Sequence, residues 1–301
     1  KQHASWGLEE YVTAVEEASD VVMKITGQKR VNITAACSGG ITASCFVSAM
    51  AAKKDKRVNA FTLQVCVLDP NPRDSEVGVF VSQRGIEIAR KASKSKGILE
   101  GDELAKVFAW LRPNDLIWNY VVNNYLLGEN PPPFDVLYWN ADTTNLPAAL
   151  HSDYLDIYGM KPFVTPGETQ FAGHGLDMGQ VTQDMFIIAG TTDHITPWKA
   201  CYRTTQMLGS RNIKFVLSNS GHIQSLINPP GNPKASYSTS DKIPDTADEW
   251  LLGASAEEGS WWPEWAAWLT ERSGDEKKAP TKLGRKGFPP LLEAPGSYVF
   301  E

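Results

Sequence analysis

Apolar residues recur at helical spacing from Leu8 to Ile25 (Leu8, Tyr11, Val12, Val15, Val21, Val22, Ile25), and Gly27 stands where a helix would stop, so the pattern predicts an amphipathic helix. The period then changes. Residues 31–36 are short and β-rich, Cys37-Ser38-Gly39-Gly40 forms a tight turn, and residues 41–52 have the composition of a second, more apolar helix. A buried strand is predicted over 58–68, and two more follow far downstream at 185–189 and 213–217, with a helix at 198–208 between them. Strands alternating with helices in this way build a mostly parallel α/β sheet.

Between Asp69 and Val181 the pattern breaks into charged helical pieces, an aromatic stretch from Trp110 to Trp139 and the run Pro131-Pro132-Pro133. The expected organisation is a core built from residues 1–68 and 182–301, with residues 69–181 inserted as a cap over the carboxyl edge of the sheet. After His222 come a Pro/Gly turn region at 228–233, a Ser/Asp-rich loop and a Trp-rich helix at 261–269. Lys277, Lys278, Lys282, Arg285 and Lys286, set among prolines and glycines, predict a solvated tail. The sequence contains no internal repeat.

With 301 residues, 42% hydrophobic and 21% charged, the chain has enough apolar content for one large folded domain, which argues against disorder. A net charge of −6 offers no basic excess to neutralise phosphates, so a nucleic-acid partner is not expected. Cys37, Cys45, Cys66 and Cys201 lack C-x-x-C spacing, and three of them fall in apolar runs, which suits reduced thiols better than disulfides or zinc. No run of apolar residues is long enough for a membrane helix, and Lys1-Gln2-His3 is not the start of a signal peptide, so an intracellular protein is expected.

Cys37 sits between a predicted strand and a predicted helix. That is where α/β-hydrolase folds expose a nucleophile on a strained turn, with the next backbone N–H facing a developing oxyanion. Ala35, Ala36, Gly39 and Gly40 supply small neighbours, although Ala35 departs from the usual glycine at the first small position. Asp193 follows the strand at 185–189 and His222 follows the strand at 213–217, so all three side chains would meet at one edge of the sheet, in the chain order nucleophile, acid, histidine. Each has a blander reading: a buried structural cysteine, an aspartate capping a helix, a surface imidazole. His194 beside Asp193 is a competing base. Taken together, the three placements favour chemistry. An imidazole within reach ionises a thiol, a carboxylate orients that imidazole, and thiolate attack on a thioester is nearly balanced in energy, which suits acyl transfer between sulfurs.

With these residues placed, four segments carry a strong resemblance to the polyhydroxyalkanoate synthases. They are residues 35–40 (Ala35-Ala36-Cys37-Ser38-Gly39-Gly40), 138–147 (from Tyr138-Trp139-Asn140 to Leu146-Pro147), 189–198 (around Thr192-Asp193-His194) and 219–230 (around Gly221-His222-Ile223). The stretch 112–128 resembles the single-polypeptide, medium-chain-length type in particular. The resemblance implies an α/β-hydrolase fold with a mobile cap that takes part in dimerisation. It implies that Cys37 accepts the acyl group of an (R)-3-hydroxyacyl-CoA and releases CoA, that His222 is the base with Asp193 as its partner, and that the Ser38 N–H is one oxyanion donor. The growing polyester chain would be the acceptor, on a cytoplasmic granule of the polymer, with no metal and no cofactor beyond the CoA thioester itself. Trp198 and Asn219 are expected to support the three from behind.

In that family several strands precede the segment matched by the start of this chain, one of them leading to a second oxyanion donor, so a fully competent site is not expected from these residues alone. Trp110, Trp118, Tyr120, Tyr125, Tyr138 and Trp139 would line an acyl channel or, more commonly for such residues, pack the core of the cap. Two other readings remain: a Cys37-dependent thioesterase or esterase with water as acceptor, and a non-catalytic granule-binding or regulatory partner.

Overall fold

The computed structural model describes residues 2–71, 73–74, 82–111, 113–131, 139, 142–297 and 300. Helix α1 (Leu8–Thr26) begins with Glu9 and Glu10 in its first turn, favourable against the helix dipole, and ends on Gly27 in the left-handed conformation at φ 73°. Its first free amides are satisfied from two directions. Gly7 N–H donates to Glu10 at 2.7 Å, and Leu8 N–H donates to Asp153 Oδ2 at 2.7 Å, from a helix far along the chain.

Strand β1 (Val31–Ala36) runs straight into α2 (Cys37–Ala52), and β2 (Val58–Gln64) pairs parallel to β1. β3 (Asp184–Gly190) lies parallel beside β2, and β4 (Ile213–Ser218) parallel beside β3. β5 (Ser236–Ser240) and β6 (Ser255–Glu258) then complete a six-stranded sheet in antiparallel pairings, in the order β1-β2-β3-β4-β5-β6. These last two strands lie where the sequence predicts a loop. Ser236-Tyr237-Ser238-Thr239-Ser240 and Ser255-Ala256-Glu257-Glu258 lack an apolar alternation because they occupy the polar margin of the sheet and bury little. β2 is shorter than predicted: its chain turns at Val65, which has φ 43°, while residues 65–68 remain largely buried.

Alternation along the central strands separates two cores. Met185, Ile187 and Ala189 of β3 and Phe215 and Leu217 of β4 face a large cluster with Phe46, Val47 and Met50 of α2. Phe186, Ile188 and Val216 face the other way, against Trp261 and Trp268. Helices α6 (Trp198–Met207) and α8 (Ala247–Gly253) pack on the first of these cores through Cys201, Tyr202 and Trp250, α7 (His222–Leu226) follows β4, and α9 (Trp262–Glu271) covers the second core.

The segment between β2 and β3 contributes no strand to the six-stranded sheet among the described residues. It holds α3 (Gln83–Lys96), α4 (Gly101–Leu111), wide π-type turns at Asn114–Trp118 and Val121–Leu126, and α5 (Ala148–Met160). Arg90 of α3 grips Asp156 of α5 at 2.6 Å. The start of the segment is tied to α6 by Arg203, which pairs with Asp69 at 3.0 Å, and Lys161, just past α5, pairs with the other oxygen of Asp69 at 3.2 Å. Trp110, Trp118, Tyr125 and Trp139 are exposed, so the expectation that they pack a cap core is corrected; the chain here turns those rings outward. Tyr138 lies outside the described residues. The basic tail is mostly exposed, as expected, but Arg285 folds back to donate to the Lys24 carbonyl at 2.8 Å, near the end of α1.

Candidate active site

Cys37 has φ 49°, a left-handed conformation that a side chain adopts only under strain. The strain comes from the join: β1 ends at Ala36 and α2 starts at Cys37 with no connecting residue. Gly40 makes that join possible. A Cβ there would lie 2.6 Å from the Cys66 sulfur and 3.2 Å from Leu63 Cδ2, so only glycine lets α2 close on β2. Gly39, by contrast, faces open space, and nothing around it requires a small residue.

The loops after β3 and β4 are hydrogen-bonded to each other. Thr191 N–H and its hydroxyl both donate to the Ser218 carbonyl, at 2.8 and 2.7 Å, and Thr192 N–H donates to the Ser220 carbonyl at 3.3 Å. Gly190 permits this approach, since a Cβ would overlap the Ser220 carbonyl. The result brings Asp193 Oδ2 to 2.7 Å from His222 Nδ1. The two oxygens of Asp193 divide their duties. Oδ1 accepts from the Ile195 and Thr196 amides, each at 2.9 Å, fixing an Asx turn, while Oδ2 serves the imidazole. The capping reading is therefore half right: Asp193 organises local backbone, but α6 begins later, with Pro197 at its N-cap.

Thr196 was not singled out from the sequence. Its hydroxyl donates to Asp193 Oδ2 at 2.6 Å and lies 3.1 Å from His222 Nδ1, so it is a third buried member of the group. An Asp-x-x-Thr spacing in a loop is the signal that points to it.

Burial works against an imidazolium at His222, but hydrogen bonds with Asp193 and with Cys37, and the charges on both, outweigh it and raise the histidine to about 10. Burial likewise opposes the charged form of Asp193, and the His222 contact and the Thr196 hydroxyl and amide overcome it, holding the carboxyl below its ordinary value. Cys37 thus stands against the same ring that Asp193 orients. The other thiols are enclosed: burial pushes Cys45 up to about 12 and drives Cys66 and Cys201 well above their ordinary range. Cys37 is the cysteine that is not fully buried.

A family model for the alpha/beta hydrolase fold matches residues 2–229. The chain belongs to that family. In this structure Cys37 follows β1, Asp193 lies in the loop after β3 and His222 in the loop after β4, in that chain order. Over its full 301 residues the chain is 49% identical to "Poly(3-hydroxyalkanoate) polymerase 1" of Ectopseudomonas oleovorans, covering 54% of that protein. It is 48% identical to polymerase 2 of the same organism, across 99% of this chain and 53% of the relative. It is 38% identical to the "Poly(3-hydroxyalkanoate) polymerase subunit PhaC" of Cupriavidus necator, across 95% of this chain and 49% of the relative. The chain spans about half the length of the curated relatives it matches, and the resemblance drawn from its motifs agrees with them.

Ser38 is exposed at the second position of α2, where the helix has no side-chain cap and its first amides are free of intrahelical partners. The Ser38 carbonyl accepts from the Tyr154 hydroxyl at 3.4 Å, so the segment between β2 and β3 reaches the turn at Cys37 through α5. Trp198 opens α6 and packs on the large core; no hydrogen bond joins it to Asp193 or His222. Asn219 is exposed and pins the histidine loop to the strand beyond, donating to the Lys234 carbonyl at 2.8 Å and accepting from the Ser236 amide at 3.2 Å. Among the described residues, no three His, Cys, Asp or Glu side chains cluster as a metal site, and no helix is long and apolar enough to cross a membrane.

Proposed function

We propose that the chain carries the catalytic centre of a poly(3-hydroxyalkanoate) polymerase, with Cys37 as nucleophile, His222 as base and Asp193 as the carboxylate that orients it. The observation that supports this most is the 2.7 Å contact of Asp193 Oδ2 with His222 Nδ1, on a ring whose remaining partner is Cys37. With Nδ1 engaged, Nε2 takes the thiol proton. The Cys37 sulfur then attacks the carbonyl carbon of an (R)-3-hydroxyacyl-CoA, and the negative charge that develops on its oxygen falls to the Ser38 N–H at the uncapped start of α2. Collapse breaks the bond to the CoA sulfur, which leaves with the proton from His222, and the acyl group stays on Cys37 as a thioester.

In the second half, the 3-hydroxyl of an incoming unit or of the growing chain gives its proton to His222 and attacks the Cys37 thioester, forming the ester bond and freeing the thiol. His222, held by Asp193 on one side and set against Cys37 on the other, stands where it can take and return the proton in both halves. Residues 69–181 act as a cap on this reading, in a cytoplasmic homodimer associated with polymer granules.

Purified protein given (R)-3-hydroxyacyl-CoA should release CoA and form polymer or, at the least, a Cys37-bound acyl group detectable by intact mass. Free acid plus CoA would replace this reading with a thioesterase. CoA release that persists in Cys37→Ala would remove Cys37 from the mechanism altogether.

A further inference from the structure

Helix α7 has five residues, and His222 is the first of them. A helix this short makes few bonds of its own, so its place is set by whatever takes up its free carbonyls. One tripeptide does this. The Trp261 indole N–H donates to the Ser225 carbonyl at 2.9 Å, the Trp262 indole N–H donates to the Leu226 carbonyl at 3.1 Å, and the Ser260 hydroxyl donates to the Asn228 carbonyl just beyond. The Ser260 oxygen also accepts from the Trp262 amide at 3.0 Å, which ties the three residues together.

Packing alone does not call for these bonds. Trp250 and Trp268 are buried with indole N–H groups that find no partner among the described residues, so the fold tolerates idle indoles in both of its cores. Trp261 lies in the same cluster as Trp268, and Trp262 packs against it, yet both direct their N–H groups at the main chain of α7. From Ser225 the support continues inward. Its buried hydroxyl donates to the Ser220 carbonyl at 3.2 Å, the same oxygen that receives the Thr192 amide from the loop of Asp193. A run of hydrogen-bonded residues thus leads from the start of α9 to the junction of the two loops, where Asp193 Oδ2 stands 2.7 Å from His222 Nδ1.

We propose that Ser260, Trp261 and Trp262 are positioning residues for the base: they hold α7 in the register at which the His222 ring meets Asp193. The proposal rests on the reading of His222 as the base, and it is tested without substrate. Cys37 is the cysteine that is not fully buried, so its alkylation by iodoacetamide at neutral pH reports how well His222 is placed to take its proton. Trp262→Phe keeps an aromatic ring and deletes the donor. It should slow alkylation about three- to tenfold, the size of one net hydrogen bond, and move the ring titration of His222, followed by NMR, down from about 10. Ser260→Ala should shift both readouts the same way by less, and Ser260→Thr, which keeps the hydroxyl, should restore them. Trp268→Phe trims the same core without touching a bond to α7, and should leave both at wild-type values even where it lowers the thermal midpoint. If Trp262→Phe does not fold, the two Ser260 variants decide the matter. Wild-type alkylation and titration in the folded Trp262 and Ser260→Ala variants, or equal losses in Trp268→Phe, would overturn the proposal. Wild-type alkylation in His222→Gln would instead remove His222 as the base, and with it the reading underneath.

Discussion

The loops that carry Cys37, Asp193 and His222 and the inserted helix that carries Tyr154 meet at the start of α2, but they are held in different ways. The loops are fixed by backbone: an immediate strand-to-helix join at Cys37, an Asx turn at Asp193, and main-chain bonds between the loops after β3 and β4. The helix is held by backbone only at its start, where the Ala148, Ala149 and Leu150 amides donate to the Gly97, Ala4 and Trp6 carbonyls, and beyond its first turn by side chains reaching across the structure: Asp153 to the Leu8 amide, Arg90 to Asp156, and, just past its end, Lys161 to Asp69. Backbone-held groups keep their geometry when a neighbour changes. A side-chain-held element shifts with any one of a few polar contacts, as expected of a part whose position is adjustable.

Substitutions should separate the two kinds of support. Cys37→Ala should abolish acyl-enzyme formation, lowering CoA release by about a thousandfold or more while leaving the thermal midpoint nearly unchanged. Asp193→Asn should cost on the order of a hundred- to a thousandfold in the rate of CoA release, because an amide keeps the Asx turn but no longer fixes and charges the imidazole. The same variant gives a pH signature. His222 is raised in the folded state, so its contribution to stability is full below its ordinary 6.5 and is lost as the pH rises through about 10. Asp193 is lowered, so its contribution is present above 3.8 and lost as the pH falls beneath that. The difference in thermal midpoint between wild type and Asp193→Asn should therefore be widest between about pH 4 and 6.5 and narrow toward pH 10.

Gly40→Ala should destabilise by about 1–3 kcal/mol in denaturant titrations, and Cys66→Ala in the same chain should recover much of that by vacating the clashing atoms. A loss that Cys66→Ala fails to relieve would point to the α2 backbone and not to the sulfur. Asp69→Asn should change global stability by less than about 1 kcal/mol, because its ion pairs are part-exposed, yet should speed amide exchange in α5. Unchanged exchange there would remove the contrast between the two regions.

How legible each region is in sequence follows the same division. The central strands were readable because a strand buried on both faces leaves a continuous apolar run, as in Met185-Phe186-Ile187-Ile188-Ala189. The turn at Cys37 was readable because a strand ending at small residues before an apolar helix has few other meanings. β5 and β6 were not, since a marginal polar strand carries no period. Thr196 was missed because its importance comes from a hydroxyl meeting two partners, one of them 26 positions away, and nothing in its own neighbourhood announces that.

The burial of three sulfurs around a fourth has a practical consequence. In the native protein Cys45, Cys66 and Cys201 are sealed away and Cys37 alone is within reach of solvent. A thiol-reactive dye added to native material should therefore label one position stoichiometrically, and the later uptake of dye by the remaining three would time the opening of the interior. The polypeptide thus carries its own built-in gauge, reporting site occupancy and global unfolding from a single reagent.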